Sequence, residues 1–204
     1  NLNRIRAKLA EVGTSKAEVA ARNTWDVDPF ALISLYAAGL NKDNITEFIC
    51  QRPKLDLFVD EMDSIPMKIR ARQICRQHKI PLAMATDNGN GIILDVERFD
   101  KEPKRPLLHG IMERMDPERI QNLDFRSWVK VANKIVGNES LGIRMRQSIS
   151  EIGKTISGMP QLGASAAMAG SIIAFVARSI ANKQPMPSGR YRIEFENIFL
   201  KKRQ

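Results

Sequence analysis

KLDLFVDEMDSIPMKIRARQICRQHKIPLAMATDNGN, residues 54–90, is the stretch whose reading decides the fold. Leu55 to Val59 is a short apolar run that ends in Asp60 and Glu61, with Asp63 just beyond. From Ser64 to Ile80 the spacing is helical. Met67, Ala71, Ile74, Cys75 and His78 fall on one face, with basic residues around it. Pro81 then restarts an apolar run, Leu82 to Ala85, which ends in Thr86, Asp87 and Asn88. Strand, helix and strand at this spacing predict a right-handed crossover in a parallel sheet. Ligands of such sheets bind beyond the carboxyl ends of the strands, and both strands here finish in carboxylates and small polar residues.

The rest of the chain arranges itself around that unit. Ser15 and Glu18 predict a capping box for a helix through Arg22. Asp28-Pro29 breaks that helix, and Ala31 to Tyr36 is a strand candidate. A short helix is expected over Asn44 to Cys50. Beyond the crossover, the Asn-Gly steps of DNGNG favour a reversal, so Ile92 to Val96 is read as an antiparallel strand. Pro106 to Gly110 reads as a further extended piece. Helices are expected from Asp116-Pro117, from Asp124 to Val136, and from Asn138 to Ser157. Gln161 to Asn182 reads as a small-residue apolar helix buried against the sheet, too short in its uninterrupted apolar part to span a bilayer. Arg190 to Phe195 alternates as a half-buried strand.

With 204 residues, 43% hydrophobic and 27% charged, this is one globular α/β domain. Two cysteines, Cys50 and Cys75, lie in helical patterns and fit packing in a reduced, intracellular protein. The opening NLNRIRAKLA has no signal-peptide character and begins within a pattern. A net charge of +9 suits anionic ligands. The basic residues are dispersed, though, and with aromatics at 6% no stacking platform for nucleic acid emerges.

Four groups of residues could carry chemistry. Of the acidic group Asp60, Glu61 and Asp63, one carboxylate would be enough for magnesium brought in with a nucleotide. Asp63 is the metal-ligand candidate, with Asp60 and Glu61 as supporting charge; the bland alternative has Asp63 capping the next helix. Arg4 and Lys16 flank a turn and could clamp phosphates, Arg4 by paired hydrogen bonds and Lys16 as a point charge. Gly89 and Gly91 lead into a strand rather than a helix, so they fail as a dinucleotide fingerprint, and no P-loop occurs. His78 and His109 show no partner at triad or metal spacing.

In order, NLNR at residues 1–4, GTSKAEVAARN from Gly13, Asp28-Pro29 and VDEMDSIPMK from Val59 resemble the ThiF/MoeB/HesA family of adenylating enzymes. LDVERFDKEPKRPLLHG, MPQLGASAAMAG and PMPSGRYRIEFE resemble the later part of a ThiF-like subgroup. The resemblance implies a doubly wound, mostly parallel, Rossmann-like sheet with antiparallel strands toward the C-terminus. Residues 1–204 would be the C-terminal major part of one adenylating domain, whose first strand-turn-helix unit is missing here.

It further implies that Asn1 and Arg4 contact the nucleotide, that Lys16 holds its phosphates, and that Asp63 binds magnesium near the reacting α-phosphate. Arg4 and Asp63 would be the catalytic residues, and ATP with Mg2+ the cofactors. The implied reaction adenylates a carboxylate, commonly the C-terminus of a ubiquitin-like sulfur carrier or a peptide. A cytoplasmic homodimer, completed by the missing N-terminal segment or a second chain and without a membrane partner, is the expectation. The paired CxxC motif of many relatives is absent, so no structural zinc is expected. Ser64 stands where many relatives have Asn. Alternatives left open are a tRNA-modifying enzyme resembling the threonylcarbamoyladenosine dehydratases, a non-catalytic interaction module with a decayed nucleotide site, and, more weakly, an NAD-dependent oxidoreductase.

Overall fold

A computed structural model describes residues 4, 6–137, 143–156, 158 and 160–195. Its centre is the unit read above. Strand β1 (Phe58–Val59) runs parallel to β2 (Leu82–Asn88), with Phe58 opposite Leu82, and α3 (Ile65–Gln77) crosses between them. Strand β3 (Gly91–Glu97) turns back antiparallel, and β4 (Gly189–Glu194) pairs antiparallel with β3. The described sheet has the order β1-β2-β3-β4, so it is mixed: its parallel character rests on the β1–β2 pair. The reversal between β2 and β3 is a tight turn at Gly89 (φ 62°), a left-handed conformation that glycine adopts at little cost. Ser165 donates its hydroxyl to the Gly89 carbonyl and pins the turn to a helix behind the sheet.

Alternation along the strands sorts the two faces. Leu82 and Met84 of β2 join one core with α2 (Ile45–Cys50), α3, α4 (Pro117–Gln121) and α5 (Phe125–Val136). Ala83 and Ala85, with Ile92, Leu94 and Val96 of β3, meet α7 (Gly163–Ala181) on the other face. The result is a sheet between helical layers, the expected α/β class. Helices α1 (Lys16–Trp25) and α6 (Ile143–Glu151) complete the described set. Asp116 and Asp124 cap α4 and α5 as expected, accepting from the backbone N–H groups of Glu118 and Ser127.

Several sequence expectations are corrected. Ala31 to Tyr36 forms no strand among the described residues. Phe30 and Leu32 are almost wholly exposed, and the segment is tied down by Tyr36, whose ring meets Phe48 edge-on at 5.0 Å. A short apolar run alone does not make a strand without a neighbour to pair with. The first strand is only Phe58–Val59, shorter than its apolar run. Ser15 is the N-cap of α1 but makes no side-chain cap hydrogen bond, so the capping box is not closed.

Pro106 to Gly110 is a tight helical turn, not an extended piece, with Leu108 (φ 43°) and His109 (φ 54°) both left-handed. Glu97 explains part of this, because its carboxylate accepts from the backbone N–H of Leu108 at 2.6 Å. Asn138 lies outside the described residues; the helix expected there is described from Ile143 and ends at Glu151, not Ser157. Helix α7 is long and apolar enough to cross a membrane. It lays one face on β2 and β3 and leaves Phe175 half exposed on the other, so it is less buried than expected.

Candidate functional site

Two kinds of carboxylate leave the carboxyl end of β1. Asp60, read as supporting charge, is wholly buried and structural. Its Oδ2 accepts from Arg72 and its Oδ1 from Lys68 Nζ at 3.1 Å. Arg72, read as one of the basic residues around the helix, is itself fully buried, and its Nε lies 2.8 Å from Glu97 Oε2 as an ion pair without an aligned hydrogen bond. Burial pushes the Asp60 carboxyl up, but Arg72 and Lys68 outweigh it and hold the group below its ordinary value. Burial pushes Glu97 up, and there Arg72 and the Leu108 N–H offset it only partly. Burial pushes the Cys75 thiol up, which fits its reading as a packing residue.

A second buried group lies on β3. Asp95 accepts from Arg190 Nε at 2.8 Å and sits 3.0 Å from His109 Nε2. Arg105 approaches His109 Nδ1 at 3.0 Å, so His109 does have partners, which linear spacing could not reveal. Arg190 also donates to the carbonyl of Ile135 at the end of α5. His78 is exposed at the C-terminal cap of α3 and does not continue the apolar face.

The other carboxylates open into a cleft of about 520 Å³ beyond the ends of β1 and β2, a size ordinary for a small-molecule site. Arg4, Lys16 and Asp63 all line it. Three separated stretches therefore converge where the strand-end rule put the ligand. Asn1, the remaining predicted contact, lies outside the described residues.

Asp63 is exposed, and Ser64, not Asp63, caps α3 by accepting from the Met67 N–H at 3.5 Å. Glu61 is exposed as a residue, but its carboxylate turns inward to accept from the Ala85 N–H at 3.0 Å. Desolvation there pushes it up to about 7. Desolvation also raises Asp87, and the nearby charge of Arg4 opposes that shift.

Sequence reasoning put Asp87 at the ligand end of its strand without giving it a role, and missed Lys68 along with an apolar wall formed by Trp128, Ala132 and Ile135 of α5 and Ala169 and Ile173 of α7. The signal for Asp87 was available, since it ends β2 as Asp60 ends β1. Trp128 comes from a helix far along the chain, and nothing local announces it.

The donor set fits a nucleotide carrying magnesium. Cations and single carboxylates share one cleft, and such magnesium needs only one or two protein carboxylates. Among the described residues no three His, Cys, Asp or Glu side chains gather as a metal cage.

The model of the ThiF family matches residues 1–198. The chain belongs to the ThiF family. It is 31% identical over 194 residues to the uncharacterized protein MT1398 of Mycobacterium tuberculosis (strain CDC 1551 / Oshkosh), a match that spans 95% of this chain and 26% of that protein. Among solved structures, PaaA resembles it with a TM-score of 0.58 at 13% identity, over 97% of this chain and 57% of PaaA. MccB of E. coli does so with a TM-score of 0.55 at 12% identity, over 93% of this chain and 49% of MccB. At such identities these two show the shared fold. The chain spans about a quarter of that mycobacterial relative and about half of each solved structure.

Proposed function

We propose that this chain supplies the cation and carboxylate side of a site for ATP-dependent adenylation of a carboxylate at the end of a peptide or ubiquitin-like carrier protein. The observation that carries the reading is the meeting of Arg4, Lys16 and Asp63 in one cleft at the strand ends. Membership of the ThiF family supports it. In the reaction, a substrate carboxylate oxygen forms a bond to the α-phosphorus while the bond from that phosphorus to the bridging oxygen breaks. The electron pair leaves with pyrophosphate. A carboxylate is already charged and needs no general base, so positioning and charge neutralisation are what the protein must supply.

Arg4 and Lys16 would hold the phosphates, and Asp63 would bind magnesium, which neutralises charge on the phosphate oxygens when present. The apolar wall from α5 and α7 would exclude water, to which an acyl adenylate is vulnerable. MccB has also been solved together with MccA-N7isoASN, which fits a partner bearing the carboxylate.

A further segment or second chain beside β1 belongs to the same reading. The edge of β1 is unpaired among the described residues, and Val27, Phe30 and Leu32 are exposed. A 204-residue monomer that folds and binds nucleotide unaided would remove that part. Homodimerisation and a cytoplasmic location complete the proposal.

The test is exchange of labelled pyrophosphate into ATP by the full-length protein, supplied with peptides of varied C-terminus. Asp63→Asn is expected to lower exchange by about a hundredfold or more. Undiminished exchange in that variant would take Asp63 out of the site.

A further inference from the structure

Lys68 stands in the first turn of α3, five residues beyond Asp63, and lines the same cleft. Its side chain is only 14% exposed, whereas Lys16 is an exposed residue. Two contacts account for the ammonium: Asp60 Oδ1 at 3.1 Å and the thioether of Met84 at 3.3 Å. An ammonium has three donors, and a thioether is a weak acceptor, so hydrogen-bonding capacity remains for an anion in the cleft. Nor would turning toward such an anion strand Asp60, whose other oxygen is held by the buried Arg72.

Lys68 has a structural role as well. Arg72 faces the two carboxylates Asp60 and Glu97, and Lys68 supplies the second positive charge. That role alone would be served by a cation as enclosed as Arg72. What sets Lys68 apart is its placement on the cleft wall, close to Glu61 and Asp63 and at the positive end of α3.

We propose that Lys68 is a third phosphate-binding cation of the cleft, joining Arg4 and Lys16 on the oxygens of the nucleotide or of the departing pyrophosphate. This rests on the adenylation reading. The Asp60 carboxylate would act as its positioning partner, fixing the ammonium at the rim before the ligand arrives.

Calorimetric titration of inorganic pyrophosphate and of MgATP into the full-length protein, its Lys68→Met variant and its Lys68→Arg variant tests the assignment. Loss of one charge-assisted contact is expected to weaken pyrophosphate binding about tenfold to a hundredfold in Lys68→Met, with most of it recovered in Lys68→Arg. Pyrophosphate affinity in Lys68→Met equal to that of the unaltered protein would overturn the proposal and leave Lys68 a charge-balancing residue. Should Lys68→Met not fold, the unaltered protein still decides. Pyrophosphate is expected to shield Lys68 from acetylation by acetic anhydride, read by peptide mass spectrometry, and an unshielded Lys68 overturns it equally. If the unaltered protein binds neither pyrophosphate nor MgATP, the adenylation reading itself falls, which distinguishes that failure from a failure at Lys68 alone.

Discussion

Asp60 and Asp63 leave the same strand end and meet opposite fates. Asp60 turns into the protein, where Arg72 and Lys68 neutralise it with no exposure at all. Asp63 turns out to the cleft, and the helix that could have claimed it is capped by Ser64. One carboxylate is committed to the fold, the other left available for a ligand. Residue type and sequence position do not separate them; what separates them is whether a cation is packed against each.

The largest effect should come from breaking the committed side. Asp60→Ala leaves Arg72 and Lys68 facing a hole, and removing one partner of a buried pair costs about 3–5 kcal/mol. Denaturant unfolding of the purified variant would measure it. A loss near zero would mean that water reaches Arg72 freely, and the contrast between the two aspartates would collapse. On the open side, Asp63→Asn should change stability by no more than about 0.5 kcal/mol, as for an exposed residue, while removing pyrophosphate exchange. A variant crippled in both would show that Asp63 too belongs to the structural set.

The sequence carried the crossover unit well because its elements report locally. Apolar spacing over residues 64–80, the Asn-Gly reversal after Asn88 and the caps at Asp116 and Asp124 each need only near neighbours. Arg4, Lys16 and Asp63 were singled out through their motifs, and the fold sets all three on the wall of one cleft. The buried networks were not. Arg72 meets Glu97 across 25 positions, and Arg190 meets Asp95 across 95, so no window of sequence shows either pair. Residues 31–36 failed as a strand for the complementary reason: their apolar run is real, but pairing is a property of a neighbour.

Glu61 lies between the two extremes and offers a test by pH. Its carboxyl is raised by desolvation from 4.5 to about 7. The folded state therefore holds the proton more tightly than the unfolded chain. The stability this contributes is fully present below about pH 4.5 and is lost as pH rises through about 7. Glu61→Gln keeps an acceptor for the Ala85 N–H and removes the titration. Thermal melts of the two proteins across that window should differ in slope, the parent falling more steeply with rising pH. Parallel curves would place the Glu61 carboxyl in open solvent, grouping it with Asp63 rather than between the two aspartates.

The smallest effect concerns the residue that frees Asp63. Ser64 accepts from the Met67 N–H at a long 3.5 Å, and Pro66 in the same turn has no N–H to satisfy. The cap therefore has little to lose, and Ser64→Ala should cost about 0.5 kcal/mol, the low end for such caps. Ser64→Asn should be near neutral, since Asn caps as well as Ser. The informative outcome is in the double variant Ser64→Ala with Asp63→Ala, since alanine cannot cap. If Asp63 takes over the cap when the Ser64 hydroxyl is gone, the Asp63 substitution will cost more stability in the Ser64→Ala background than in the parent. Additive losses would show that the Asp63 carboxylate stays turned to the cleft even when the helix end is open to it.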